Sequence, residues 1–186
     1  MLKNSILAFG GNADSPVGTP RETLNFALKS LEGHDIFPLK VSRPYVNPAY
    51  PRGSGPDFVN AVAVIQSRLD PVSLLHVLHE IEAECGRVRE KRWGPRTLDI
   101  DLIACGDIVQ PDIKGYQAWR DMSPEDQQCK SPSELILPHP RIQDRAFVLV
   151  PMAEVAPEWI HPVSGLSVVQ MLDNLSEIDR NEVVPL

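Results

Sequence analysis

The chain lacks the features that staple or anchor a protein. Its 186 residues hold three cysteines, Cys85, Cys105 and Cys129. None lies in a CxxC pair, and the odd number leaves one over in any pairing scheme, which argues for reduced thiols in a cytoplasmic protein. No apolar run approaches the roughly 18 residues of a membrane span. Behind Lys3 the run at 6–9 is shorter than the roughly 7–15 residues of a signal-peptide core. Basic residues are outnumbered, 18 Lys and Arg against 25 Asp and Glu for a net charge of −7, which argues against a general nucleic-acid binder. Nucleotide loops are missing too. Gly10-Gly11-Asn12 is not followed by the GKS or GKT of a P-loop, and no GxGxxG occurs. The five histidines are dispersed and give no zinc spacing, and the pair His76/His79 reads as helix surface.

Proline is the residue in excess. Eighteen of them are about twice the usual share, which implies long irregular connections and disfavours an all-helical fold. The length suits one domain over 1–186. Residues 5–9 read as a strand ending in the Gly-Gly-Asn turn. Thr19-Pro20-Arg21-Glu22 is a capping box with proline at the first helical position, and Leu24, Ala27, Leu28 and Leu31 give a helix over 20–32. Residues 36–46 are strand-like, 47–57 form a proline- and glycine-rich loop, and 58–67 read as a further strand. Asp70-Pro71 opens a second helix that Gly86 stops, and 97–104 alternates as a strand. Residues 106–134 are polar, with little periodicity, and read as an inserted loop with a short helix starting near Ser123. Residues 142–156 and 167–175 look helical. The expected fold is α+β: an α/β two-layer sandwich, helices packed on a mainly antiparallel sheet.

The chemistry concentrates in one stretch. Residues 86–96 carry five basic side chains and one acid, a local charge of +4 that leaves −11 on the remainder. Asp99 and Asp101 follow at i and i+2 of a strand, so both carboxylates project from one face, roughly 6.6 Å apart along the strand. Such a pair can bridge Mg²⁺, which prefers oxygen ligands and shares them with substrate phosphates. Adjacent arginines, Arg96 foremost, would neutralise a transferring phosphoryl group. An isolated DxD is commonly a surface pair, and an arginine cluster alone a solvated face. Their junction through Trp-Gly-Pro-Arg into an apolar strand is harder to explain as solvent exposure.

The run Arg92-Trp93-Gly94-Pro95-Arg96-Thr97-Leu98-Asp99-Ile100-Asp101-Leu102-Ile103 closely resembles the signature of the 6-hydroxymethyl-7,8-dihydropterin pyrophosphokinases. The likeness extends over Phe9-Gly10-Gly11-Asn12, Asp57-Phe58-Val59-Asn60-Ala61, Gly86-Arg87-Val88-Arg89 and Leu137-Pro138-His139-Pro140-Arg141. It implies a ferredoxin-like fold and pyrophosphate transfer from ATP to a pterin hydroxymethyl group, releasing AMP. Asp99 and Asp101 would bind two Mg²⁺ ions, with Arg87 and Arg96 as further catalytic groups. Asn60 would read the pterin edge, Phe58 and Phe147 would sandwich its ring, and backbone around Asn47, Pro48 and Tyr50 would complete that pocket. Arg87, Arg96, His139 and Arg145 would contact ATP phosphates, with Arg89, Arg92 and Trp93 on loops above. Glu82 would take part in nucleotide binding, and Leu102 would pack near the adenine. The resemblance implies small-molecule partners only, without nucleic acid or membrane, and a cytoplasmic monomer. Gly11 stands where the family more often has serine, the family's loop lysine matches Glu90 or Lys91, and His79 and Pro140 replace other nucleotide-contacting side chains. A different Mg²⁺-dependent phosphoryl- or nucleotidyltransferase, or a non-catalytic pterin- or nucleotide-binding module, would share the aspartate pair.

Overall fold

The computed structural model describes residues 2–87, 96–123, 126, 130 and 132–186. Strand β1 (Lys3–Gly11) leads into helix α1 (Pro20–Ser30). The predicted capping box is formed there: Thr19 and Glu22 satisfy each other's backbone N–H groups. Strands β2 (Phe37–Val41), β3 (Tyr45–Asn47) and β4 (Phe58–Ser67) follow, then helix α2 (Pro71–Glu84). Asp70 Oδ1 accepts from the N–H groups of Val72 and Ser73, so the predicted cap holds. Strand β5 (Asp99–Cys105) precedes helices α3 (Ile113–Arg120), α4 (Ala146–Val155), α5 (Val168–Asp173) and α6 (Glu177–Asn181), and β6 (Val184–Pro185) closes the chain.

The strands make one antiparallel sheet in the order β5-β1-β4-β3-β6, with β2 also paired to β4. β2 and β3 lie end to end along β4, because Val41 pairs with Ala63 and Tyr45 with Asn60. Ser42 bridges the irregularity between them. Its backbone N–H donates to Val62 O at 2.9 Å, and its hydroxyl accepts from Val62 N at 3.0 Å. The hydroxyl thus takes the place of a ladder carbonyl.

Strand alternation sends Leu7, Phe9, Ala61, Ala63, Ile65, Ile100 and Leu102 to one face, packed with Leu24, Ala27, Leu74, Leu78 and Ile81 of α1 and α2. This is the expected packing of helices on an antiparallel sheet. Ile6, Ala8, Val62 and Ile103 face the other way, against Val148, Leu149, Met152, Val168 and Met171, so α4 and α5 add a helical layer on the second face.

Helix α3 lies within the stretch read as an irregular insertion. Asp112 caps it by accepting from Gly115 N at 2.7 Å, and the fully buried Tyr116 anchors it through a 2.9 Å hydrogen bond to His161. One inward residue in a two-turn helix leaves no 3.6-residue pattern to read. The expected helix start at Ser123 falls mostly outside the described residues; within them, Asp126 N donates to Ser123 Oγ at 3.2 Å.

Candidate functional site

Pairing of β5 with β1 and of β1 with β4 aligns Asp99 with Gly10 and Gly10 with Asn60, while Tyr45 faces Asn60 from β3. Directly opposed residues share a face, so Asp99, Gly10, Asn60 and Tyr45 form one row across the sheet, on the α4 side. Asp101 shares that face one step along β5, opposite Ala8. Strand spacing puts the Asp99 and Asn60 backbones about 10 Å apart, with only Gly10 between. A Cβ at Gly10 would stand 2.9 Å from Asn60 Oδ1, so glycine keeps the floor open. Gly11 serves a different contact: a Cβ there would lie 2.6 Å from Thr97 O, and its absence lets the 96–97 backbone pack against β1.

At one end of the row charges alternate in sign. Arg87 pairs with Glu82 and, at 2.7 Å, with Asp99; Arg96 pairs with Asp99; Arg145 reaches Asp101 at 2.9 Å. Three acids thus meet three arginines in a partly desolvated recess, where each pair is worth more than on an open surface. Glu82, buried on α2, also accepts from Ile100 N at 2.7 Å, which fixes the outer edge of β5. Burial raises its pKa, against the lowering effects of the Ile100 N–H and Arg87.

Arg96 is held by its backbone. Asn12 Oδ1 accepts from Arg96 N at 2.9 Å, and Asn12 N and Ala13 N both donate to Arg96 O. Asn12 Nδ2 donates at 3.1 Å to Pro56 O, in the 48–57 loop. The Gly-Gly-Asn turn was legible in the sequence, but this clamping role depends on a contact 84 residues away.

His139 donates its backbone N–H to Ile103 O at 2.8 Å, and its Nδ1 accepts from Arg141 N at 3.1 Å. With Nδ1 an acceptor, the ring proton sits on Nε2. Burial, then the charges of Arg145 and Arg141, holds its pKa well below the ordinary value, so the ring is a neutral N–H donor.

At the other end of the row, Asn60 is buried and donates through Nδ2 to Asn47 Oδ1 at 2.5 Å, while Asn47 Nδ2 donates to Pro48 O at 2.9 Å. Phe58 sits opposite Asn47 on the same face as Asn60, half-buried. Phe147, also half-buried, opens α4 two residues after Arg145, whose guanidinium carbon lies 5.6 Å from its ring centroid.

The fold therefore gathers Glu82, Arg87, Arg96, Asp99, Asp101 and Arg145 at one end, and Asn47, Phe58 and Asn60 at the other. One expected residue stands apart: Leu102 points to the opposite face, buried in the α1–α2 core. Tyr50, expected to contribute backbone to the pocket, is 89 % exposed. Arg89, Arg92 and Trp93 lie outside the described residues. His76 and His79, read as helix surface, line a recess of about 380 Å³ with Glu82, Ala83 and Arg87, next to the charged cluster. A separate cavity of about 270 Å³, lined in part by Tyr116, Gln143 and His161, has neither aspartate of the pair in its lining.

The donor set suits Mg²⁺. Asp99 and Asp101 are hard oxygen donors on one face, both partly exposed, and among the described residues only one oxygen of Asp101 is engaged. Mg²⁺ commonly takes one or two carboxylates and completes its shell with water and substrate phosphates.

The sequence model of the family described as 7,8-dihydro-6-hydroxymethylpterin-pyrophosphokinase (HPPK) matches residues 6–157. A 2-amino-4-hydroxy-6-hydroxymethyldihydropteridine pyrophosphokinase from Synechocystis sp. is 37 % identical over 131 residues, 70 % of this chain and 55 % of the relative. Its namesake from Pseudomonas aeruginosa is 35 % identical over 159 residues, 85 % of this chain and 83 % of that protein. The chain thus spans about half of the first relative and most of the second. Among solved structures, the wild-type HPPK-DHPS of Plasmodium falciparum superposes with a TM-score of 0.63 at 16 % identity, over 93 % of this chain and 41 % of that one, a likeness of fold. With the family match running across both ends of the Asp99–Gly10–Asn60 row, this chain belongs to the 7,8-dihydro-6-hydroxymethylpterin-pyrophosphokinase family.

Proposed function

We propose that the chain transfers the β,γ-pyrophosphate of ATP to the hydroxymethyl oxygen of 6-hydroxymethyl-7,8-dihydropterin. The oxygen attacks the β-phosphorus in line, the bond to the α,β-bridging oxygen breaks, AMP leaves with that oxygen, and the hydroxyl proton passes to solvent. The observation that carries this reading is the row Asp99–Gly10–Asn60, which sets a carboxylate–arginine cluster about two strand spacings from a buried amide on one open floor.

Asn60, fixed by Asn47, presents hydrogen-bonding groups to the edge of a flat heterocycle, and Phe58 and Phe147 supply its stacking faces. Pro48 and Tyr50 border this pocket through the 48–57 loop. Arg87, Arg96 and Arg145, paired with acids in the free protein, turn to the phosphates when nucleotide arrives, and His139 donates from Nε2. Preorganised cations where charge develops, together with alignment of the two substrates, carry the acceleration. Glu82 keeps Arg87 and β5 in register, and Leu102 supports the strand from the core side. Arg89, Arg92 and Trp93 complete the nucleotide site.

Asp99 and Asp101 would hold two Mg²⁺ ions; when bound, these neutralise the triphosphate and acidify the attacking hydroxyl. Residues 1–186 would act as one cytoplasmic, monomeric domain carrying an insertion at 106–134. No helix among the described residues is long and apolar enough to cross a membrane.

The test is to supply the protein with ATP, Mg²⁺ and the hydroxymethyl dihydropterin and follow AMP. AMP formation that depends on the pterin is expected. Turnover of ATP with another acceptor would replace this function by a different phosphoryl transfer. Tight binding without AMP would reduce the chain to a binding module.

A further inference from the structure

We propose that the C-terminal segment, residues 175–186, is a positioning element for the pterin-binding wall, with Glu182 and Val183 as its working residues. The inference rests on the reading of Asn47, Phe58, Asn60 and Phe147 as that wall. The segment lies beyond residues 6–157, which the family model covers.

Three contacts carry it. First, β6 pairs with β3: Tyr45 opposes Pro185, Val46 opposes Val184, and Leu186 N donates to Pro44 O at 3.0 Å. β3 has only three residues and holds Asn47, the partner of Asn60, at its end. A strand so short, bonded on one side only, would fray. β6 supplies the second side. Second, Val183, 7 % exposed, packs in a small apolar cluster with Tyr45 and Ala146, flanked by Phe147, Val150 and Leu175. It thus backs the first turn of α4, which carries Phe147, and β3 at the same time. Third, Glu182 pairs with Arg52 in the middle of the 48–57 loop.

That loop joins β3 to β4 and contains three prolines and two glycines. Among the described residues two long-range ties fix it: Asn12 Nδ2 on Pro56 O near its end, and Glu182 on Arg52 at its middle. Ordering a loop of this length is opposed by chain entropy, and each tie removes part of that cost before substrate arrives. The Arg52 side chain is 71 % exposed, so this pair alone biases the loop by about fivefold at most. Val183 and β6 supply the larger share by holding the strand from which the loop springs.

The experiment compares Glu182→Gln, Arg52→Gln, their double variant and Val183→Ala with the wild type. It measures the KM of each substrate, kcat, and the dissociation constant of the dihydropterin by calorimetry. Either surface variant is expected to raise the pterin KM and dissociation constant about threefold, and the double variant no further, because both remove one contact. Val183→Ala is expected to raise them about tenfold. The ATP KM and kcat should stay within about twofold throughout, and the reversed pair Arg52→Glu with Glu182→Arg should recover the wild-type pterin KM. A purely structural role would move both substrates together and give no recovery in the reversed pair; that result overturns the inference, as does an unchanged pterin KM in every variant. The surface variants remove no buried group, so they keep the test decisive even where Val183→Ala folds poorly. A wild-type protein that binds no dihydropterin overturns the proposed function and this inference together. A wild type that binds it, beside variants that bind it equally well, overturns this inference alone.

Discussion

Replacing Gly10 by alanine sets one methyl group on the floor between the two ends of the site. That carbon would stand 2.9 Å from Asn60 Oδ1, and ordinary contact begins near 3.4 Å, so the amide must retreat by about half an ångström. Asn60 is 4 % exposed and tied to Asn47 at 2.5 Å, so the retreat loosens a buried hydrogen bond, at a cost of about 1–2 kcal/mol. The loss of glycine freedom in the unfolded chain returns about 0.4–1 kcal/mol. Global stability should therefore fall by about 1.6 kcal/mol at most, a melting shift of no more than about 3–6 °C. Under the proposed function recognition should suffer more, because the same displacement moves the amide proposed to read the heterocycle. A penalty of about 1–2 kcal/mol there is a rise of about 5- to 30-fold in the pterin KM. Among the described residues, chain neighbours aside, no other side chain lies within 4 Å of the added carbon, Asp99 included, so the ATP KM should stay within about twofold. Steady-state kinetics with each substrate varied in turn, beside a calorimetric melt, make the comparison. A pterin KM within twofold of wild type, or equal losses on both substrates, would refute the idea that Gly10 keeps Asn60 in place.

Other expectations follow from the same contacts. Asp101→Ala leaves Arg145 without its carboxylate and removes a proposed cation ligand, so turnover should drop by about 10²–10³-fold or more; activity within about threefold of wild type contradicts the proposed metal role. Asn12→Ala deletes its side-chain bonds to Arg96 N and Pro56 O and should cost about 2 kcal/mol in a denaturant melt, whereas Asn12→Asp, which keeps the acceptor, should recover about half. Tyr116→Phe keeps the ring but loses the bond to His161 and should lower stability by about 1 kcal/mol. Burial depresses the pKa of both His139 and His161 from 6.5. Above pH 6.5 both are neutral folded or unfolded. As the pH falls below it, the unfolded chain takes up protons that the folded one refuses, so stability should decline by up to about 1.4 kcal/mol per pH unit for each histidine. A melting midpoint that holds steady from pH 7 to 5 would contradict those environments.

The local half of the structure was legible in the residues. Thr19 with Glu22, and Asp70 before Pro71, announce helix starts through bonds that span three residues or fewer, and these are the bonds observed. The i, i+2 spacing of Asp99 and Asp101 fixes their common face wherever the strand is placed, because side chains alternate. Relations made by tertiary structure were not readable. Arg145 meets Asp101 across 44 residues, and nothing near either residue encodes the meeting. Glu82 carries no local sign that it will accept from Ile100 on a strand not yet formed. β6 is two residues long and exists only because β3 offers it an edge. Ser42 escapes notice because a hydroxyl standing in for a carbonyl leaves no periodic trace.

The strands that carry the aspartates also set which pairings the chain can reject. A one-residue slip of β5 on β1 would turn Asp99 and Asp101 toward the apolar layer of α1 and α2, and would bring Ile100 and Leu102 out among the arginines. Two carboxylates stranded in that layer would cost several kcal/mol each. β5 carries one irregularity opposite Ile6 and Leu7, where the register shifts. The acidic pair thus guards strand alignment, beside the cation-binding role proposed for it. Replacing both aspartates by leucine would remove the guard, and such a chain should refold more slowly and more heterogeneously than either single variant.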